Sequence, residues 1–171
     1  MVIGDIVGKP GRKAVRGILP GLYREYGLDL VIGNGENAAG GLGLTPNTAQ
    51  ELFDSGVDII TSGNHIWAHK EIIPYLDSGF AILRPLNYPP VTPGRGYLSK
   101  GKILAVNLIG RTFIGNFDCP FRAVDQLLAS IEDKSTIVVV DFHAEATSEK
   151  VAMGRYLDGR VSAVLGTHTH V

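Results

Sequence analysis

A single cysteine, Cys119, stands in 171 residues. One thiol excludes an intramolecular disulfide framework and any cluster of thiolate metal ligands, and it fits a reducing compartment, so cytoplasmic localisation is expected. Charge of one sign is lacking too. Sixteen Lys and Arg are set against 17 Asp and Glu, for a net charge of -1, with no basic stripe of the kind duplex nucleic acid or an anionic membrane requires. No apolar run approaches the roughly 18 residues of a membrane helix, and the first residues lack the layout of a signal peptide. Repeats and Pro/Ser-rich linkers are absent, so one domain is expected at this length. Two stretches imitate phosphate loops without their spacing. "GDIVGKP" places Pro10 where a Ser or Thr would bind magnesium, and "AAGGLGL" over 38–44 lacks the strand–GxGxxG–helix layout. Neither supports a kinase or a nucleotide-cofactor enzyme.

Glycine, by contrast, is abundant: 22 of 171 residues, about 13% against roughly 7% in average proteins, with no period, which assigns the glycines to local turns. Short β-branched runs of strand length recur at Val2–Ile3, Leu30–Ile32, Val57–Ile60, Ile103–Leu108, Thr136–Val140 and Val161–Leu165. Helical stretches fall between most of them: Arg12–Tyr26 with a kink or break at Pro20, Pro46–Phe53 capped by Thr45, Ala68–Leu76, Phe121–Ile131, and Ser148–Leu157 capped by Thr147. This alternation predicts an α/β fold with largely parallel strands. The Pro- and Gly-rich stretch 81–108 predicts a local antiparallel section, and hence a mixed sheet or two packed sheets.

Five apolar runs end in turns that carry metal-ligand types: "VIGD" (Asp5), "LVIGNGEN" (Glu36, Asn37), "DIITSGNH" (Asn64, His65), "VVVDFH" (His143) and "AVLGTHTH" (His168, His170). The carboxyl ends of strands in an open α/β sheet share one edge, where ligands bind, so these turns can converge. Two carboxylates, two amides and three imidazoles can complete two adjacent metal shells with room for water. Imidazole donors favour Fe, Mn, Zn or Co over Mg or Ca. Taken singly, each residue has a plainer reading: Asp5 as a turn aspartate, Asn37 and Asn64 as turn residues, His143 as a core-edge histidine. The ordered set outweighs these. His69 reads as a helix-surface residue, Asp141 as support for an imidazole or an ordinary strand end, and Glu145 and Arg111 as structural or surface charges. The glycine loop at 38–44 is expected to turn closely past the metals and to touch substrate.

The extended motifs "GDIVGKPGR", "NGENAAGG", "TSGNHIW", "DFHAEATSEK" and "GTHTHV", in this order over nearly the whole chain, resemble the calcineurin-like metallophosphoesterases, and in particular their YmdB-like bacterial branch. The resemblance implies a metallophosphoesterase sandwich of mixed β-sheets flanked by helices. It also implies one domain over 1–171, incomplete and C-terminally truncated relative to the family. By the same resemblance Asp5, Glu36, Asn37 and His170 surround one divalent metal, Glu36 bridges to a second, and Asn64, His143 and His168 complete that one. Catalysis would fall to Glu36, Asn64 and His65, with His65 outside the metal shell as general acid. Val7 stands where many superfamily members have a histidine, and Glu36 where they have aspartate; both departures match the YmdB-like branch. Fe or Mn is the expected metal, with Zn or Co compatible. The implied activity is hydrolysis of phosphodiesters such as 2′,3′-cyclic AMP, with no duplex nucleic acid or membrane as partner; a homo-oligomer is compatible with the sequence. The alternatives are a phosphomonoesterase or protein phosphatase, and a non-catalytic nucleotide sensor.

Overall fold

A computed structural model describes residues 1–133 and 136–170. Val171, the last residue of the GTHTHV motif, lies outside the described residues. Strands β1 (Val2–Asp5), β2 (Ile32–Asn34) and β3 (Ile59–Thr61) form a parallel three-stranded sheet in that order. A second sheet contains β4 (Tyr97–Lys100), β5 (Ile103–Ile109), β6 (Ile137–His143) and β7 (Ala163–Thr167). Its last three strands are parallel, and β4 runs antiparallel to β5, as the turn-rich stretch before it predicts. Parallel neighbours need crossovers. Helices α1 (Gly8–Tyr26) and α2 (Pro46–Asp54) supply them in the first sheet, and α4 (Pro120–Ala129) and α5 (Thr147–Tyr156) in the second; the short α3 (Ile73–Leu76) follows β3.

Three apolar clusters hold these layers together. Val15 and Leu19 of α1 and Leu52 of α2 pack on Val31 and Ile60 at the first sheet, while Val124, Leu127 and Met153 of α4 and α5 cover Val106, Val140 and Phe142 of the second. Between the sheets lie Leu30, Ile32, Ile59, Leu83 and Ala105, with Val2, Leu98 and Val139 against them. Each such side chain fully buried contributes about 1.5–3 kcal/mol. The two sheets therefore pack face to face with helices on both outer sides.

Three strands start two residues further along the chain than the apolar runs place them. Pairing in β2, β3 and β7 starts at Ile32, Ile59 and Ala163 and runs on through Gly33 and Asn34, Thr61, and Gly166 and Thr167. Ladder hydrogen bonding is indifferent to side-chain polarity, so each strand continues into the residues that serve the edge. Helix assignments also shift. The first helix passes through Pro20 to Tyr26 without a break, since one missing N–H is outweighed by the buried stripe of Val15 and Leu19. The stretch 68–76 is not one helix. It contains the 3-10 turn Lys70–Ile72, preceded by another at Asn64–Trp67, and then α3, in which Pro74 sits in the first turn, where its missing N–H breaks no helical bond. Thr147 is inside α5 rather than its cap; Ala146 holds that position with no side-chain bond.

The far end of the sandwich is tied by Asp58. Its Oδ2 accepts from Tyr23 Oη and the Val31 N–H, both at 2.8 Å, and its Oδ1 from Lys100 Nζ at 2.5 Å, so α1 and the first sheet are joined to β4. Burial alone would raise this carboxyl, but the three donors outweigh it and hold its pKa below the usual range. Burial, with Asp58 adding to it, pushes the Tyr23 phenol up to about 12. A carboxyl lowered on folding contributes stability that is complete above its unfolded pKa, about 4, and is lost as pH falls through the folded value. Asp58→Ala is expected to cost about 1–3 kcal/mol near neutral pH. In urea titrations from pH 7 to 3 that difference should shrink toward the acid end.

Candidate metal centre

The carboxyl ends of both sheets meet at one edge through a buried polar network. Asp141, on β6, is the hub. Its Oδ2 accepts from Thr61 Oγ1 of β3 at 2.5 Å and Asn34 Nδ2 of β2 at 3.1 Å, and its Oδ1 accepts from Thr167 Oγ1 of β7 at 2.7 Å. Burial pushes the Asp141 carboxyl up, and these hydrogen bonds oppose the shift. Asn34 Oδ1 takes the Glu36 N–H at 3.1 Å, which fixes the turn leaving β2. Asn107 joins from β5, its Oδ1 accepting the Ser62 N–H at 2.9 Å.

Proton bookkeeping in this network sets the His143 tautomer. Thr167 has one hydroxyl proton and gives it to Asp141, so its oxygen accepts from His143 Nδ1, 3.0 Å away. His143 therefore carries its proton on Nδ1 and presents a lone pair at Nε2. His168 lies beside it: its Nδ1 is within hydrogen-bond distance of His143 Nε2, at 3.0 Å, with the rings edge-on at 78°, and Glu145 Oε2 is 2.9 Å from its Nε2. Glu36 Oε2 is 3.0 Å from His143 Nε2. Burial lowers the His168 pKa, aided by the neighbouring His143, which favours the neutral, metal-ligating form. For His143, burial works against protonation, but the Glu36 carboxylate outweighs it and the net direction is upward.

Buried oxygens complete the arrangement. Asp5 Oδ1, both carboxylate oxygens of Glu36, and Asn64 Oδ1 are buried without a hydrogen bond; the imidazole nitrogens 3.0 Å from Glu36 lie off the line of one. An unsatisfied buried oxygen costs about 1–3 kcal/mol, more when charged. Four of them at one edge with imidazole nitrogens are stabilised by positive charge, so the donor set fits divalent cations. Among the described residues Glu36, His143 and His168 bring their ligand atoms within 4.8 Å of one another. His170 Nε2 is 3.6 Å from Asp5 Oδ1 and 3.2 Å from Asn37 Nδ2.

Local backbone makes these approaches feasible. A Cβ at Gly63 would lie 1.8 Å from Glu36 Oε2 and 2.4 Å from His143 Nε2, so the glycine of GNH leaves space for the ligands. His168 and His170 both have left-handed backbones, φ 98° and 57°, a costly state for histidine. The His168 N–H, held at 2.9 Å by Asp5 Oδ2, offsets part of that strain, and rings two residues apart reach different partners, His168 toward His143 and His170 toward Asp5 and Asn37.

All seven ligand candidates, Asp5, Glu36, Asn37, Asn64, His143, His168 and His170, thus lie at one edge. His65 joins them: its Nδ1 is 2.9 Å from Asn37 Oδ1 and 3.0 Å from Glu36 Oε1, while the ring stays 35% exposed. His69 is not a helix-surface residue. It precedes a 3-10 turn and its Nε2 reaches the Leu42 carbonyl at 2.9 Å, fastening the glycine loop at 38–44 to the His65 turn. Asp141 supports an imidazole, through Thr167. Glu145, read as a structural or surface charge, is partly exposed with its Oε2 2.9 Å from His168 Nε2. Glu149 passed unnoticed in the sequence: it binds the Arg111 and Thr112 N–H groups and fixes the loop after β5. Only the spacing "HAE" hinted at Glu145.

The family model for YmdB-like proteins matches residues 1–171. The chain belongs to the YmdB-like family. This YmdB-like chain is 50% identical over 175 residues to a Bacillus subtilis protein named 2′,3′-cyclic-nucleotide 2′-phosphodiesterase, matching all of this chain and 66% of that protein. It superposes on a crystal structure of a hypothetical protein from Thermus thermophilus with a TM-score of 0.91 at 52% identity, covering 99% of this chain and 67% of the other. A Mycoplasma pneumoniae structure described as a novel phosphatase gives a TM-score of 0.90 at 35% identity, covering 99% and 63%. The YmdB-like chain thus spans about two thirds of the length of these relatives.

Thr167→Val keeps the side-chain shape and removes the link that sets the His143 tautomer. Loss of such a partner typically costs 10–100-fold in metal affinity. Calorimetric titration with Mn²⁺ should show a weakening in that range; unchanged affinity would remove Thr167 from the account.

Proposed function

We propose that this chain is a metal-dependent phosphodiester hydrolase that holds two divalent cations and opens 2′,3′-cyclic nucleotides. The observation that carries the reading is the set of buried oxygens of Asp5, Glu36 and Asn64 without hydrogen bonds among the described residues, at the edge where Glu36, His143 and His168 bring their ligand atoms within 4.8 Å of one another. The name of the Bacillus subtilis relative supports the substrate class. Asp5, Asn37 and His170 would hold one cation, and Asn64, His143 and His168 the other, with Glu36 shared. Imidazole, carboxylate and amide donors together suit Fe or Mn, and Zn or Co are compatible.

Bound cations supply water of near-neutral pKa and draw charge from the phosphoryl oxygens. The chain's own groups do the rest. Asn64, with Oδ1 committed as a ligand, offers its Nδ2 to a phosphoryl oxygen. His65 is anchored at Nδ1 by Asn37 Oδ1, so its Nε2 is the atom that donates a proton to the leaving ribose oxygen. The partly exposed ring can be reprotonated from solvent.

The test is turnover of 2′,3′-cyclic AMP against p-nitrophenyl phosphate with Mn²⁺, for the parent chain and His65→Ala. The diester should be hydrolysed in preference to the monoester. His65→Ala should lower that rate about 10²–10⁴-fold with metal content retained. Hydrolysis of the monoester alone would indicate a phosphomonoesterase or protein phosphatase, and saturable nucleotide binding without turnover a sensor. Loss of metal in His65→Ala would make His65 a ligand instead of an acid.

A further inference from the structure

Three aromatic rings line up beside the candidate metal centre. Trp67 ends the 3-10 turn that begins with Asn64 and His65. Its ring meets Tyr88 edge-on at 5.6 Å and 72°, and Tyr88 in turn packs on Phe117 at 4.9 Å. The position of Tyr88 is fixed by its buried neighbour Asn87, whose Nδ2 donates to the Ile109 carbonyl at 2.9 Å and the Asp118 carbonyl at 2.8 Å, and whose Oδ1 accepts the Ile109 N–H at 2.9 Å. Ile109 is the register partner of His143. The Trp67–Tyr88 pair thus bridges the ends of the two sheets at the edge where the ligands gather. Burial raises the Tyr88 pKa, the Trp67 indole opposes the shift, and the Glu36 charge adds to it, which places the phenol within electrostatic reach of the shared carboxylate.

Neither ring is fully buried, and Tyr88 also lines a cavity of about 630 Å³ with Leu86, Tyr97, Asp118, Arg122 and Gln126. That is a volume typical of small-ligand pockets. Arg84 forms part of its wall with a guanidinium that donates to the backbone carbonyls of Pro85, Leu86, Thr92 and Pro93, which stiffens the loop carrying Tyr88. A rigid aromatic wall beside a phosphoryl-transfer edge, opening on a cavity with polar groups at its rim, has the chemistry to hold a nucleobase.

We infer that Tyr88, supported by Trp67, is a specificity-determining residue on which the base of the nucleotide stacks. The inference rests on the hydrolase reading above and deepens it. Stacking uses the π-face that every base has, so the wall separates nucleotides from diesters without a base and discriminates little between bases.

The test compares kcat/KM on 2′,3′-cyclic AMP and on methyl riboside 2′,3′-cyclic phosphate, which lacks the base. In Tyr88→Leu the ratio of the two values should fall roughly 5- to 150-fold, the range that base–aromatic stacking supplies, through KM on the nucleotide. Tyr88→Phe, which keeps the ring, should preserve the ratio. A ratio unchanged in Tyr88→Leu would overturn the inference. A second readout does not need turnover, because Trp67 is the chain's only tryptophan. Adenosine 2′-monophosphate should quench its fluorescence saturably in the parent and in Tyr88→Phe, and far more weakly in Tyr88→Leu, while ribose 5-phosphate should leave it unchanged. No quenching in the parent would overturn the inference. Quenching without hydrolysis of any diester would instead sink the hydrolase reading and leave the base site standing.

Discussion

The buried carboxylate of Asp141 is the interaction on which this architecture turns. It takes donors from β2, β3 and β7 at once, so the carboxyl ends of the two sheets cannot separate without orphaning a buried charge, a loss worth several kcal/mol. Through Thr167 the same group fixes the proton of His143 on Nδ1. A single residue thereby couples sandwich closure to the electronic state of a candidate ligand.

The site inherits a deliberate imbalance from this frame. Thr167 places the proton of His143 on Nδ1, which turns the Nε2 lone pair toward Glu36. Gly63 surrenders a side chain to make that approach, and His168 and His170 accept left-handed backbones. Each feature costs stability in isolation. Together they are the expected signature of residues arranged for a cation instead of for one another, since native structures concentrate such strain where a ligand repays it.

Much of this is legible in the sequence because a repeated strand-then-turn pattern places chemistry-bearing residues at the carboxyl ends of parallel strands. Asp5, Glu36, Asn37, Asn64, His143, His168 and His170 can be named from that pattern, as can the antiparallel section before β5. The strand limits are not legible to the same degree. Apolar runs stop short of Gly33, Asn34, Thr61 and Thr167, whose ladder bonds continue while the side chains of Asn34, Thr61 and Thr167 join the polar edge. Asn34, Thr61, Thr167 and Glu145 are equally silent, because their roles depend on the register between strands far apart in sequence. His69 misleads for a related reason: its neighbours suggest a helix, but Pro74 and the packing of the glycine loop break the stretch into short turns.

The central claim is that Glu36 sits between two cations and belongs to both. Anomalous diffraction from crystals of the chain soaked in Mn²⁺ tests it most directly. The account predicts two peaks about 3.5–4 Å apart, one beside Glu36, Asp5, Asn37 and His170, the other beside Glu36, Asn64, His143 and His168. A single peak, or a pair of peaks with Glu36 outside both, would contradict it.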